Sequence, residues 1–464
     1  MQRLLAIAFL TLKAAFRYRL VVVLAVLLLG SVVALPILIK HDGSARGFTQ
    51  IVLTYTLSVI TTLLGFATLW LACGTLARDI EEGQMQTVVV KPIARWQIWL
   101  GKWVGIMMLN GLLLGLAGIA VFGLMRWGAS KLPAAQQAIL TNEVLVARGS
   151  LREPMPDIQA DVEKRFQERL KQSKVTGLDQ QLLRKQIEEQ VKWAYQLVPP
   201  SYSRRWTIDL GWRKESLRDK PLFLRVKFHT PETRDADEPK TSVTYRGFWE
   251  IGPPEGPRRW RKVMSLAPAT FHEFAIEPNL FDDKGILTID FHNRNDTVLL
   301  FPLEEGLEVL YREGGFGLNF SRGVAIIYCW LGLLAALGLA AASFLSFPVA
   351  AFMALGVLII GLSSSTISTV VQEGAIFGAN HEGGQTEPTL LDHVLVPIFN
   401  VLLKVIKLVE GFSPIDSLSA GRSITWSQLG LAILQICLLM GGIFTAIGII
   451  IFTRRELATA QTQH

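Results

Sequence analysis

Six stretches of this chain, residues 20–39, 51–77, 103–125, 323–344, 348–370 and 428–453, contain no Asp, Glu, Lys, Arg or His. A helix of about 20 apolar residues crosses a hydrocarbon layer ~30 Å thick, and each stretch is long enough to do so. One charge at the centre of such a helix costs roughly 2.5–3.5 kcal/mol on insertion scales, so clean gaps of this length are selective. They exclude a purely soluble protein. The charges lie elsewhere: 31 of the 46 basic and 28 of the 39 acidic residues fall within 126–322. The expected fold is a polytopic α-helical membrane protein of six transmembrane helices, with an inserted extracytoplasmic α+β domain.

An even number of spans puts both termini on one side, and the short connecting segments say which. Arg3, Lys13, Arg17 and Arg19 precede the first span without an acid. Arg78, Lys91, Arg95 and Lys102 surround the connection between spans two and three, and Arg454 and Arg455 follow span six. Between spans five and six, acids outnumber bases. The positive-inside rule then places both termini in the cytoplasm and the 126–322 block outside it, because long domains translocate largely regardless of charge. Residues 1–19 carry a broad apolar helical face with basic residues near its end, which fits an interfacial helix leading into span one.

Within the outer block, residues 131–203 read as helical. Ile158, Val162, Phe166 and Leu170 recur every four residues, and Leu178, Leu182, Leu183, Ile187, Val191 and Leu197 form a second stripe. A charged helical hairpin is the simple reading. Over 204–312 the period changes to two: Trp206, Ile208, Leu210 and Trp212 alternate with polar neighbours, as do Leu222, Leu224, Val226 and Phe228. Further short runs separated by turn signals point to a β-sandwich of about 100 residues. Cys73, Cys329 and Cys437 all fall in expected spans, so the sandwich must hold without disulfides.

The connection at 78–102 carries the most information. An acidic cluster with a glycine (Asp79, Glu81, Glu82, Gly83) precedes a short helix expected around 84–90. Lys91, Pro92, Ile93 and Arg95 follow, then Trp96 and a Gly101-Lys102 pair ahead of span three. This combination resembles the membrane subunits of ABC-2-type transporters, over roughly half the chain. The resemblance implies a permease of a bacterial cytoplasmic (inner) membrane, with residues 1–19 as its elbow helix and 78–102 as the coupling loop. In that family the loop docks on a cytoplasmic ATPase subunit, which assigns docking to Asp79, Glu81, Glu82, Gly83, Lys91, Pro92, Arg95, Trp96 and Lys102. It also implies a second permease subunit, identical or not, and export as the direction of transport. Residues 391–411 match the place where such permeases carry a re-entrant or interfacial helix, and both readings stay open for this apolar segment bearing Lys404 and Lys407. The chain has no G-x-x-x-x-G-K-[ST] phosphate loop, so ATP and Mg belong to the partner ATPase, and no cofactor or enzymatic activity is expected on this chain.

Other residues carry weaker expectations. Ionisable groups are missing from the spans, which argues against a proton- or ion-coupled carrier. Thr54, Ser58, Thr61, Thr62, Asn110, Ser364 and Ser365 are candidates to line a translocation path, or to join helices by hydrogen bonds. Arg258, Arg259, Trp260, Arg261 and Lys262 form an outer patch suited to an envelope protein or an anionic polymer, or simply a charged strand edge. Nucleic acid is not an expected partner; the lipid bilayer is. The scattered histidines lack zinc-ligand spacing. Two further classes remain: a membrane-anchored scaffold or sensor whose sandwich binds an envelope component, and a glycan enzyme drawing on Glu273, Asp282, Asp283 and Asp290.

Overall fold

The computed structural model describes residues 2–17, 20–38, 45–85, 92–140, 145–172, 178–230, 244–256, 258–373, 390–410 and 412–455. Two compact units emerge, Met1–Ala147 with Gly314–His464, and Arg148–Glu313. The inserted unit is thus narrower than the 126–322 block.

The first unit is helical. Helix α1 (Gln2–Arg17) buries Ile7, Ala8, Thr11 and Ala15 on one face. It meets α2 (Leu20–Leu38) at a bend of 72°. Helices α3 (Gly47–Glu81) and α4 (Arg95–Ala129) have 35 residues each, or about 52 Å at 1.5 Å per residue. Helices α7 (Phe316–Ala342) and α11 (Trp426–Arg454) complete the long set, numbered after two helices of the second unit described below. Among the described residues, these four are long and apolar enough to cross a membrane, or five if the bent α1–α2 pair counts as one span.

This differs from six uninterrupted spans in two places. The first expected span is the short α2, which qualifies only together with α1. The fifth, 348–370, is broken into α8 (Phe347–Leu362) and α9 (Ser364–Glu373). The cause is local. Ser363 leaves helical geometry at φ −89°, ψ 20°. Its N–H is shared between the Ile359 and Ile360 carbonyls at 3.0 and 3.1 Å, and its hydroxyl donates to Ile359 O at 2.9 Å. Serine side chains compete with the backbone in this way, and three of them stand in a row here. Helix α10 (Leu390–Glu410) contains Pro397 and leaves Ile398, Val401 and Leu408 exposed.

Helix α7 is the most enclosed of the long helices. Alpha-carbon hydrogens alone at Gly338 let α3 approach, since a Cβ there would stand 2.7 Å from Ala72 Cβ. Cys73 Sγ donates to Gly338 O at 3.5 Å, and all three cysteines are free, so they act as packing residues. Helix α11 is peripheral, with Leu434, Leu438, Ile443 and Ile450 exposed, as are Val26 on α2 and Phe352 on α8. An apolar exterior around a buried helix is the arrangement a bilayer solvates. Residues Ile433–Gly441 of α11 form a π-helical segment, and Ile51–Tyr55 form a π turn in α3.

The second unit is a sandwich of two four-stranded sheets beside a helical hairpin. With β1 (Val146–Leu151), β2 (Leu197–Val198), β3 (Ser203–Asp209), β4 (Leu222–Val226), β5 (Tyr245–Ile251), β6 (Trp260–Leu266), β7 (His272–Ile276), β8 (Ile286–Asn293), β9 (Leu299–Leu300) and β10 (Leu307–Gly315), the sheet orders are β1-β10-β4-β7 and β3-β8-β5-β6. The small β2–β9 pair stands apart. Residues 131–203 are therefore not helical throughout. Helices α5 (Gln159–Gln172) and α6 (Leu178–Gln196) form the expected hairpin around Val162, Phe166, Ile187 and Val191. Before them, 146–151 pairs as a strand, a stretch too short to show a period.

Alternation places Trp206, Ile208, Trp249, Ile251, Leu287, Ile289 and Phe291 in one core. Gly247 is required beside Phe291, whose ring would lie 2.2 Å from any Cβ. The expected inward Trp212 is instead 81% exposed. Asp209 Oδ1 accepts the Gly211 N–H at 2.7 Å, and Gly211 at φ 55° turns the chain out of β3 before the alternation reaches Trp212.

Candidate functional site

Helix α3 ends where a glycine can take a positive φ. Glu82 N–H bonds Arg78 O at 2.8 Å, and Gly83 follows at φ 72°. Met85 turns back into the core at 2% exposure. The helix expected over 84–90 lies mostly outside the described residues, and so does Lys91. The described chain resumes with a bend at Pro92, and α4 starts at Arg95 with the extended Ala94 as its cap residue.

Most of the charged groups around this connection reach for other helix ends of the same chain. Glu81 Oε1 accepts the Phe347 N–H at 2.8 Å, placing a carboxylate at the N-terminus of α8, where the helix dipole favours it. The Arg78 guanidinium lies 4.4 Å over the Phe347 ring, and Trp70 meets the same ring edge-on at 5.0 Å. Arg95 Nη1 donates to the carbonyls of Phe452, Thr453 and Arg455 at 3.2, 2.8 and 2.7 Å, filling acceptors left open at the end of α11. Arg455 donates in turn to Ser343 O at 3.0 Å, just past α7. From α1, Arg3 donates to the Pro92 carbonyl.

The start of α4 is held equally firmly. Trp99 is fully buried, donates to Ser343 Oγ at 3.2 Å, and fills the space left by Gly448 on α11. Gly101 and Gly105 admit α1 so closely that a Cβ at Gly105 would lie 2.7 Å from Ala8 O and 2.8 Å from Thr11 Cβ. Lys102 is 8% exposed and donates to Asp79 on α3 and to Thr75 O. The nine loop residues thus divide. Asp79, Glu81, Arg95 and Lys102 are engaged within the chain, Pro92 receives Arg3, and Gly83 makes the turn. Glu82 and Trp96 are exposed, and the Glu82 carboxylate accepts from Gln84, two residues on, at 2.7 Å.

The candidate lining residues are less unified. Thr68 Oγ1, on the same span as Thr61, lies 2.6 Å from Leu64 O and 3.0 Å from Asn110 Oδ1, joining α3 to α4. Asn110 is 3% exposed, and its Nδ2 has no partner among the described residues; nor do Thr54 Oγ1, Thr56 Oγ1 or Thr61 Oγ1. Leaving such atoms unmet costs about 1–3 kcal/mol each, so water or a polar ligand is the fitting companion. Ser58 is half-buried and Thr62 exposed. Ser364 is buried at the break after α8, and the side chain of Ser365 lies outside the described residues.

In the outer patch, Arg259 donates to Pro253 O at 3.0 Å and pairs with Glu250 at 3.4 Å, while Arg261 pairs with the same carboxylate at 2.8 Å. Trp260 stacks on Phe274 at 5.8 Å. Only Arg258 and Lys262 of this run lack a carboxylate partner among the described residues. The run leads into strand β6, which bonds through β5 alone, so Trp260, Arg261 and Lys262 lie on a charged sheet edge. The acids weighed for a glycan enzyme do not converge. Glu273 pairs with Arg148 in one sheet, and Asp290 with Arg205 at 2.7 Å in the other. Asp282 accepts the N–H groups of Lys284 and Ile286 at 3.0 and 2.7 Å. Asp283 offers its main-chain oxygen to Lys214 at 2.9 Å. Among the described residues, no group of three or more His, Cys, Asp or Glu is placed to hold a metal ion.

No family model matches this chain, and no curated protein or solved structure matches it.

Proposed function

We propose that this chain is the membrane subunit of an ABC-2-type transporter, with six spans and cytoplasmic termini, driven by a separate ATPase. Two such subunits would form the membrane pathway, and the resemblance favours export. The observation that carries this reading is the wiring of the α3–α4 connection. Its flanks are bonded to α1, to the start of α8 and to the end of α11, so a load applied at one exposed loop reaches several helix ends together. A loop that served only to reconnect two spans has no need of such ties.

Among the described candidates, Glu82 and Trp96 serve as docking contacts on this reading, because both are exposed and neither side chain is engaged by another helix end. The test is purification in gentle detergent with ATP hydrolysis and mass spectrometry as readouts. A phosphate-loop ATPase should accompany the protein and be lost on Glu82→Lys with Trp96→Asp, while the helical unit stays folded. If no ATPase accompanies the protein under any gentle condition, the transporter reading fails.

A further inference from the structure

We propose that the outward face of the second sheet binds a neutral, hydroxyl-rich ring, with glycans as the chemical class. A cavity of about 600 Å³ opens there, inside the ~300–1,000 Å³ span of small-molecule sites. Strands β5 and β8 lie side by side, with Phe248 opposite His292 and Glu250 opposite Asp290. Alternation turns these side chains away from the core that holds Trp249 and Phe291. The Phe248 and His292 rings are 5.6 Å apart, and the Arg294 guanidinium stands 4.7 Å from the Phe248 ring centre. Ser201 and Asp296 complete the rim.

The rim is built rather than loose. Asn293 Nδ2 donates to Val198 O and Thr297 O, both at 2.9 Å. Asn295 clasps the main chain of Arg246 through both ends of its amide at 2.8 Å. These amides fix the turn that carries Arg294 and Asp296, and leave those two side chains exposed.

Charge decides the ligand class. Glu250 is already met by Arg259, Arg261 and, at 3.9 Å, His292. Arg294 has no carboxylate partner and Asp296 no cationic one among the described residues. A free anion would face Asp296 and Glu250, and a free cation would face Arg294. A vicinal diol suits both, accepting from the guanidinium and donating to the carboxylate, and a ring that carries several hydroxyls presents such diols at fixed spacing. The site stands whatever the membrane helices do, so its failure leaves the transport reading untouched.

The experiment uses the full chain in a detergent without a sugar headgroup, probed with maltotriose and with triacetylchitotriose by saturation-transfer NMR. Saturable transfer is expected from at least one sugar, with a Kd on the order of 1 mM. Arg294→Ala and Asp296→Ala should each weaken it about tenfold, the size of one lost charge-assisted hydrogen bond. Trp212→Ala, on an exposed residue outside the cavity, should leave it unchanged. Absence of transfer from both sugars overturns the proposal, as does transfer that none of the cavity variants alters. Displacement of the sugar by inorganic phosphate, strengthened in Asp296→Ala, would show an anion site and also overturn it.

Discussion

Asp79→Ala should damage this protein more than removing the lysine it pairs with. Lys102 is 8% exposed and Asp79 34%, so the two ends of the pair see different surroundings. Removing one partner of a fully buried pair costs about 3–5 kcal/mol, because the other charge is left uncompensated. The one-third exposure of Asp79 and the reach of a lysine stem toward water reduce that to roughly 2–3 kcal/mol for Asp79→Ala. In that variant the ammonium keeps only the Thr75 carbonyl. Lys102→Met leaves a carboxylate that water can solvate, at about 1 kcal/mol. The double variant buries no unpaired charge and should sit near Lys102→Met, not at the sum. The assay is a thermal series in detergent, reading the fraction that stays monodisperse on size exclusion. Unfolding there is often irreversible, so the rank order is the measurement. Additive losses, or Asp79→Ala no worse than Lys102→Met, would refute the reasoning that the buried ammonium dominates.

Three further outcomes follow from the packing. Gly105→Leu places side-chain carbons where Ala8 O and Thr11 now lie, and should cost about 1–3 kcal/mol and release α1 to proteolysis near its start. Phe301→Ala empties the centre of a ring cluster that includes Trp206 at 5.3 Å and Phe291 at 5.0 Å. About 3–5 kcal/mol should be lost, with near-UV circular dichroism of the sandwich collapsing before far-UV helicity falls. Tyr195 donates to Asp161 at 2.7 Å, and that hydrogen bond, followed by the charge of Asp161, raises its pKa. The folded state thus favours the neutral phenol. Its contribution to the α5–α6 hairpin is fully present below the ordinary tyrosine value near ~10 and fades as pH rises toward the raised one. Tyr195→Phe should abolish that component of an alkaline melting series.

Much of the architecture was legible because its signals are periodic. The charge-free gaps mark α3, α4, α7 and α11, and period-two alternation marks the sandwich strands that carry Trp206, Leu224 and Trp249. What escaped was set by single residues. Ser363 breaks an apolar run that composition alone reads as continuous. Gly211 ends a strand one pair before Trp212, and β1 is too short to declare a period. The basic run at 258–262 reads in sequence as a ligand patch or as a charged strand edge, and Glu250, opposite Arg261 in the β5–β6 pair, neutralises part of it. Charge near a turn suggests docking, whereas Asp79, Glu81, Arg95 and Lys102 find partners up to several hundred residues away, a pairing no local pattern reveals.

The first turns of α4 explain why that segment has its composition. Gly101 and Gly105 share one face at a spacing of four and receive α1, while Trp99 and Trp103 project elsewhere, to Ser343 and to Gly332 O at 3.0 Å. Lys102 points to α3, and Arg95 to the end of α11. Successive residues of a helix face different directions, so the eleven residues 95–105 suffice to touch four other helices. A helix held on so many sides moves with its neighbours, and small glycines with large indoles are what allow the close and the distant contacts to coexist. Any displacement entering at the loop must then be taken up where helical hydrogen bonding is already irregular. Two such places are the break at Ser363, directly beyond the α8 helix that Glu81 caps, and the π segment Ile433–Gly441 in the helix whose end Arg95 holds. Both lie on elements that the loop grips, so the irregularities stand where a coupled motion would need them.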